Sequence, residues 1–179
     1  MEEHQQKALE KFVKLYKDDP LISGILLGGS VAHGFATAAS DLDVMLIVAD
    51  SEYQRRKDQN KLAFSLWDLC DYPGGYIDCK VISAGFLDAV RTRGSDPARY
   101  AFLDSRILFS RINNLPQILA EITRFPLQEK VTRRGRFAAQ LLAWRWYYGE
   151  GVKKENQYLL YLSIQKLVLF SCRLVLNEN

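Results

Sequence analysis

Cysteine and histidine are scarce in this chain, which has three cysteines and two histidines among 179 residues. The cysteines form no CxxC pair, so the sequence indicates neither a disulfide framework nor a cysteine-rich zinc site. Two histidines are too few for a metal site built from imidazoles. Charge of one sign is lacking as well, because a net charge of +3 is too small to indicate nucleic-acid binding by itself.

Targeting and membrane-spanning segments are not indicated either. The first 19 residues are polar and charged, unlike a secretory signal. The longest apolar stretch, Tyr158 to Leu176, is interrupted by Gln165, Lys166 and Arg173. We therefore interpret this stretch as a buried helix and not as a membrane span. A soluble cytoplasmic protein with no membrane or nucleic-acid partner is expected.

What is present is the composition of an ordinary globular protein, with 48% hydrophobic and 25% charged residues. The charges are unevenly divided along the chain. Residues 1–122 contain 14 basic and 17 acidic side chains, whereas residues 123–179 contain 10 basic and 4 acidic ones. Pro126 interrupts regular structure close to this change. We predict two domains, 1–122 and 123–179, and leave open whether the second continues beyond Asn179.

The first domain alternates helical and strand patterns. Apolar residues at helical spacing predict helices over 2–17 and 52–69, the latter with Ser51 as its N-cap. A further helix is predicted from Ser83 to Val90. Buried or alternating apolar segments predict strands over 22–27, 41–48, 76–82 and 106–109.

The second domain is predicted to be entirely helical. Apolar residues mark one helix from Leu127 to Tyr148 and a longer one from Lys154 to Leu176. The Gly149-Glu150-Gly151 segment is expected to break the chain between them, because glycine is unfavourable inside a helix.

Two aspartates stand at the start of the second predicted strand. Side chains alternate along a strand, so Asp41 and Asp43 project from one face, about 7 Å apart at Cα. Leu42 and Val44 then point the other way, into a core. Two carboxylates on one face repel each other, and a divalent cation removes that repulsion. Mg²⁺ suits such a pair, since it is usually held by one or two carboxylates plus phosphate oxygens.

A third carboxylate, Asp78, lies in the alternating strand 76–82 and shares its face with Lys80. If this strand lies beside the one that carries Asp41 and Asp43, three carboxylates converge. Such a cluster could hold one or two metal ions, as in enzymes of phosphoryl transfer.

The glycines next to these aspartates predict an anion site. Gly28 and Gly29 end a buried strand, and Ser30 is predicted to open a short helix. Backbone N–H groups at such a turn bind anions, and glycine lets the chain approach a phosphate closely. The hydroxyl of Ser30 adds a further donor.

These residues together resemble a known signature. Gly29-Ser30, ten residues, then Asp41-Leu42-Asp43 and a later strand with Asp78 resemble the DNA polymerase β-like nucleotidyltransferase superfamily. The match spans residues 22–82. Within the superfamily the segment is similar to small bacterial enzymes, including aminoglycoside and lincosamide adenylyltransferases.

The resemblance implies an α/β (α+β) fold, with a mixed sheet backed by helices and then a helical domain. It also implies a Mg²⁺-dependent transfer of a nucleoside monophosphate from an NTP, ATP being the expected donor, with release of pyrophosphate. Asp41, Asp43 and Asp78 would be the metal-binding and catalytic residues, and Asp78 could act as ligand, general base or both. Gly29 and Ser30 would hold the β- and γ-phosphates.

Ser40 and Lys80 complete the candidate nucleotide-binding residues. For Ser40 the alternative is a role in shaping the loop before Asp41, and for Lys80 it is a salt bridge to a nearby carboxylate. A small hydroxylated acceptor, such as an antibiotic, is the first expectation. The alternatives are modification of a protein hydroxyl, as in toxin–antitoxin pairs, and a non-catalytic nucleotide-binding module. A homodimer is left open.

Overall fold

A five-stranded mixed sheet forms the centre of the first of two units. The structure is a computed structural model that describes residues 1–179, which divide into the units Met1–Arg124 and Phe125–Asn179. The strands are β1 (Ile22–Leu27), β2 (Leu42–Val48), β3 (Ala63–Leu66), β4 (Ile77–Ser83) and β5 (Arg106–Ser110). Their order in the sheet is β3-β4-β2-β1-β5, and only β2 and β4 pair in parallel.

Six helices belong to the first unit, and a helical hairpin forms the second. The first six are α1 (Glu3–Tyr16), α2 (Gly29–His33), α3 (Asp50–Asp58), α4 (Ala84–Arg93), α5 (Asp96–Tyr100) and α6 (Leu115–Thr123). A short 3-10 turn (Leu127–Glu129) precedes α7 (Lys130–Lys153) and α8 (Gln157–Glu178). The predicted mixed-sheet α+β class, with helices at the C-terminal end, is confirmed.

Strand β2 carries the core on both of its faces. Leu42, Val44, Leu46 and Val48 are fully buried on one face, as their alternation predicts. On the other face Ile47 belongs to a second apolar cluster, which contains residues of α4 and α6. Asp43 and Met45, on that same face, are only half-buried. The face that carries Asp43 is therefore covered at one end of β2 and accessible at the other.

The helix predicted over 52–69 is wrong beyond residue 58. Helix α3 ends at Asp58, and Asn60 then adopts a left-handed backbone with φ of 54°. Residues 63–66 form β3, whose Phe64 and Leu66 pack against the core. Leu62, Phe64 and Leu66 alternate along the chain, and pairing with β4 selects this period of two over the helical one. The N-cap of α3 is Ala49, so the Ser51 prediction is wrong as well.

The predicted break at Gly149-Glu150-Gly151 is also wrong, because α7 runs through it to Lys153. A Cβ on Gly151 would lie 3.1 Å from the backbone nitrogen of Leu160. Glycine at this position therefore allows the beginning of α8 to lie close against the end of α7. Asn156 begins α8 as its N-cap and accepts a hydrogen bond of 2.9 Å from the N–H of Leu159.

The apolar stretch from Tyr158 to Leu176 was expected to form a buried helix, and it forms α8, which is largely exposed. In α8 only Ser163 and Asn177 are buried, while Tyr158, Val168 and Leu176 are more than half exposed. By length and composition alone α8 could cross a membrane, and 6% of its apolar window is buried. Core helices of soluble proteins satisfy the same criterion.

Candidate active site

The parallel pairing of β2 and β4 places the carboxylates of Asp43 and Asp78 close to the ammonium group of Lys80. Asp43 lies opposite Asp78 in the register, and Met45 lies opposite Lys80. The ammonium of Lys80 is 3.0 Å from Oδ2 of Asp78 and 3.6 Å from Oδ1 of Asp43. Asp78 and Lys80 are two residues apart in β4, so their side chains share a face. Residues from two strands thus meet around a single positive charge.

Asp41 lies just before β2 and has a different partner. The hydroxyl of Tyr76 donates a hydrogen bond to Asp41, and this bond raises the pKa of Tyr76. The Tyr76 ring in turn stacks on Trp67, with ring centroids 4.5 Å apart. Tyr76 was not among the predicted site residues, although the period of two places it on the same face as Asp78.

Asp43 lies in an environment that disfavours its charged form. Burial raises the pKa of Asp43, and the negative charges of Asp41 and Asp78 raise it further. Lys80 acts in the opposite direction and favours the charged carboxylate. The hydrogen bond to Asp78 raises the pKa of Lys80. The ammonium group of Lys80 therefore offsets part of the cost of keeping the Asp43 carboxylate charged.

The glycine turn lies directly against the Asp43 carboxylate. Gly29 has φ of +62°, and a Cβ at this position would overlap the carboxylate of Asp43. The N–H of Gly28 donates a hydrogen bond of 2.9 Å to the backbone carbonyl of Asp43. Helix α2 begins at Gly29, so the N–H groups of Gly29 and Ser30 belong to its first turn and have no acceptor within the helix. These donors lie beside the carboxylate.

A cavity of about 360 Å³ is bordered by both the glycine turn and the Asp43 carboxylate. It is lined by Gly28, Gly29, Ser30, His33, Phe35, Asp43, Val44, Met45, Lys80, Tyr100 and Ala101. The lining combines polar residues, among them Ser30, Asp43 and Lys80, with apolar ones, a mixture that ligand sites commonly have.

Three stacked rings contribute to the lining of this cavity. His33 lies between Phe35 and Tyr100, with centroid distances of 5.4 and 4.7 Å and nearly parallel planes. Nδ1 of His33 is 3.4 Å from Oδ2 of Asp104. Tyr100 was not among the predicted site residues, because it lies on the short helix α5, which had not been predicted. Ser95 was the available signal, and it caps α5 by accepting a hydrogen bond from Ala98.

Ser40, a predicted nucleotide-binding residue, is engaged within its own loop. Its Oγ accepts a hydrogen bond of 2.9 Å from the N–H of Thr37, and its carbonyl accepts one of 3.0 Å from the hydroxyl of Tyr72. Ser40 does not line the cavity. Its contacts correspond to the alternative role, in which it shapes the loop before Asp41.

The predicted cluster of three carboxylates is not formed as a ready metal site. No group of three or more histidine, cysteine or acidic side chains is arranged to hold an ion. Asp41 accepts a hydrogen bond from Tyr76, and the ammonium of Lys80 contacts both Asp43 and Asp78. The two carboxylates that now surround the Lys80 ammonium still match the donor set of Mg²⁺, which takes its remaining ligands from substrate phosphates and water. Asp43 and Asp78 therefore fit such an ion.

The sequence profile of the nucleotidyltransferase domain matches residues 6–83. A nucleotidyltransferase-like protein from Exiguobacterium sibiricum has a similar fold, with a TM-score of 0.59 and 15% identity. That similarity covers 97% of this chain and 57% of the other, so the chain spans little more than half of its relative's length.

A weaker structural similarity connects the chain with a toxin–antitoxin structure containing AMP-PNP. The TM-score is 0.41 at 14% identity, over 73% of this chain and 96% of the other. No curated protein was found to be significantly similar in sequence. Residues 6–83, which contain Asp41, Asp43 and Asp78, therefore match the nucleotidyltransferase domain, within a fold similar to that of a nucleotidyltransferase-like protein.

Proposed function

We propose that the protein is a Mg²⁺-dependent nucleotidyltransferase that moves a nucleoside monophosphate from an NTP, with ATP as the first candidate, to an acceptor hydroxyl. One observation carries the proposal. Asp43 and Asp78, on neighbouring parallel strands, both contact the ammonium group of Lys80 directly beside the Gly29-Ser30 turn. Carboxylates next to backbone donors are what a metal-bound triphosphate requires.

Each residue has a proposed role in this reaction. Asp43 and Asp78 would hold the metal ion, with Asp41 as a third ligand once it gives up the hydrogen bond from Tyr76, and the ion would supply positive charge opposite the triphosphate. The N–H of Gly29 and the hydroxyl of Ser30 hold the β- and γ-phosphates. Lys80 contributes a positive charge to the same phosphates.

The proposed transfer is a direct displacement at phosphorus. The acceptor oxygen bonds to the α-phosphorus while the bond from that phosphorus to the bridging oxygen breaks. Pyrophosphate leaves with the bond's electron pair, and the proton of the acceptor hydroxyl passes to a carboxylate, for which Asp78 is the candidate base. The arrangement needs no covalent intermediate on the protein.

For the acceptor, a small hydroxylated molecule such as an antibiotic remains the first candidate, on the motif resemblance to aminoglycoside and lincosamide adenylyltransferases. Residues 123–179 carry 10 basic and only 4 acidic side chains. A basic surface repels a polycationic aminoglycoside, so an acceptor of lower positive charge is favoured.

A protein hydroxyl is the second candidate acceptor, and one feature favours it. The second unit is basic and exposes large apolar side chains, among them Leu127, Val131, Leu142, Trp146 and Tyr158. Large exposed apolar surfaces mark sites of protein interaction.

The test is pyrophosphate release from labelled ATP, GTP, CTP or UTP with Mg²⁺ and a panel of antibiotics and protein extracts. Asp43→Asn should lower turnover by about a thousandfold, the scale seen when a group that stabilises transition-state charge is removed. Asp68→Asn, at an exposed aspartate of the same unit, is the control and should leave turnover unchanged. Full activity of Asp43→Asn would refute the metal role, and nucleotide binding without turnover would favour a non-catalytic module.

A further inference from the structure

We propose that Lys80 is the internal counter-ion of the metal site: it neutralises Asp43 and Asp78 until a divalent cation binds, and so weakens binding of the free metal. The inference rests on the metal site of the proposed function and adds to it a control of metal affinity. It assigns Lys80 two successive partners, first the carboxylates and then the phosphates of the nucleotide.

The contacts of Lys80 differ from those of an ordinary surface ion pair. The pair of Lys7 with Glu3 lies within one helix and joins one ammonium to one carboxylate. Lys80 instead contacts carboxylates of two strands, Asp78 at 3.0 Å and Asp43 at 3.6 Å. It is also the basic residue that lines the cavity together with Gly29 and Ser30.

The sheet itself makes a counter-ion necessary. Asp43 and Asp78 are register partners on neighbouring strands, which lie about 4.8 Å apart. Two carboxylates at such a spacing repel each other, and the repulsion is strongest where the groups are partly withdrawn from water. The ammonium of Lys80 offsets part of that repulsion without any metal ion.

Because Lys80 contacts Asp43 and Asp78, it competes with a divalent cation for these two carboxylates. A divalent cation can use Asp43 and Asp78 only if Lys80 gives up its contacts with them, so its binding must replace an existing charge interaction. The flexible stem of Lys80 and the 57% exposure of its side chain allow the ammonium to move. A cation that arrives with a nucleotide supplies phosphate oxygens as new partners for Lys80, and the loss is then compensated. Metal and nucleotide should therefore bind cooperatively.

A purely structural role for Lys80 makes a different prediction. If the lysine served only to join β2 to β4, its removal would lower stability but would leave metal affinity at its wild-type value. Metal binding in the absence of nucleotide thus separates the two roles.

The experiment is a titration of the full chain with Mn²⁺, followed by electron paramagnetic resonance of the free ion, without nucleotide and at fixed ionic strength. Lys80→Met should bind Mn²⁺ at least about tenfold more tightly than wild type, since the competing charge is gone. Lys80→Arg keeps the charge and should stay close to wild type. Lys7→Met removes a lysine from an ion pair elsewhere and should change nothing.

A second variant locates the bound ion. Adding Asp43→Asn to Lys80→Met should abolish the gain in affinity. Unfolding temperature in EDTA gives an independent readout: Lys80→Met and Lys80→Gln should be less stable than wild type, and Mn²⁺ should restore them. Either substitution serves if the other does not fold.

The outcomes are separable. Equal Mn²⁺ affinity of wild type and Lys80→Met, or a gain that survives Asp43→Asn, overturns the counter-ion role. A gain that depends on Asp43 supports it, even if no acceptor yields pyrophosphate. In that last case the proposed transfer reaction fails, and the control of metal affinity by Lys80 stands.

Discussion

Gly29 is the residue at which backbone conformation and packing together exclude any side chain. Its φ of +62° is unfavourable for other residues, and a Cβ would overlap the Asp43 carboxylate. Gly29→Ala should displace that carboxylate and lower kcat/KM for pyrophosphate release by about a hundredfold, the scale of a 1 Å misplacement. Steady-state kinetics with the best acceptor measure the effect.

Gly34 is a matched control for this substitution. It has φ of +84°, but a Cβ there would meet nothing within 4 Å. Gly34→Ala should cost about 1–2 kcal/mol of stability through backbone strain and leave kcat/KM near its wild-type value. If both variants lost activity equally, strain and not the contact with Asp43 would be the cause.

Two of the three cysteines, Cys79 and Cys172, differ enough in burial to be told apart chemically. Cys79 is completely buried in β4, and burial raises the pKa of its thiol to about 12, whereas Cys172 is exposed. Thiolate is the reactive form. Ellman's reagent should therefore modify Cys172 in the native protein and Cys79 only after unfolding, as mass spectrometry of the labelled chain would reveal. Labelling of Cys79 in the native protein as fast as Cys172 would show that β4 opens readily.

At the scale of elements, α3 depends on an acid-sensitive cluster. Glu52 is buried and accepts hydrogen bonds from Arg55 and Arg56, which lower the pKa of Glu52 to about 2. Because the pKa in the folded state is below the usual value of 4.5, this stabilisation is complete above about pH 4.5 and is lost as pH falls towards 2.

Glu52→Gln should accordingly lower the unfolding temperature at pH 7, and its difference from wild type should shrink between pH 4.5 and pH 2. Glu3→Gln removes an exposed i,i+4 pair with Lys7 and should have little effect at any pH. Circular dichroism melts over this pH range measure both. A difference for Glu52→Gln that stayed constant down to pH 2 would contradict the role of these hydrogen bonds.

The sequence predicts an element reliably where one period dominates. Residues 41–48 first alternate and then run apolar, a pattern that fits only a strand, and β2 is found there. Leu62, Leu66 and Leu69 fit a helix, whereas Leu62, Phe64 and Leu66 fit a strand. Pairing of Phe64 with Cys79 decides between them, and that partner is 15 residues away in sequence.

The candidate site likewise contains some residues that the sequence could predict and others that it could not. Asp41, Asp43, Asp78 and the Gly29 turn could be identified from local spacing, because each lies within a few residues of a strand end. The meeting of Lys80 with Asp43 depends on the register of β4 against β2, and Tyr100 depends on the position of α5. These features follow from tertiary pairing, which no local pattern in one sequence contains.

At the scale of the whole molecule, apolar burial is concentrated in the first unit. Both buried apolar clusters consist of residues that precede Phe125. The second unit has contacts of its own, including the rings of Phe137 and Phe170 at 6.3 Å and a hydrogen bond of 3.0 Å from the side-chain amide of Asn177 to the carbonyl of Lys130. It nevertheless leaves most of its apolar side chains exposed.

Independent folding of the two units should therefore differ. A chain ending at Arg124 keeps both clusters, all five strands and the Asp43–Lys80–Asp78 contacts, so it should unfold cooperatively on heating. A peptide of residues 125–179 should be helical but should self-associate through its exposed apolar side chains. It should melt without a cooperative transition, since a hairpin that buries little apolar surface has few tertiary contacts that break together. Calorimetry with sedimentation of each piece measures this. An unfolded 1–124 fragment would mean that residues after Arg124 supply stability that neither cluster accounts for.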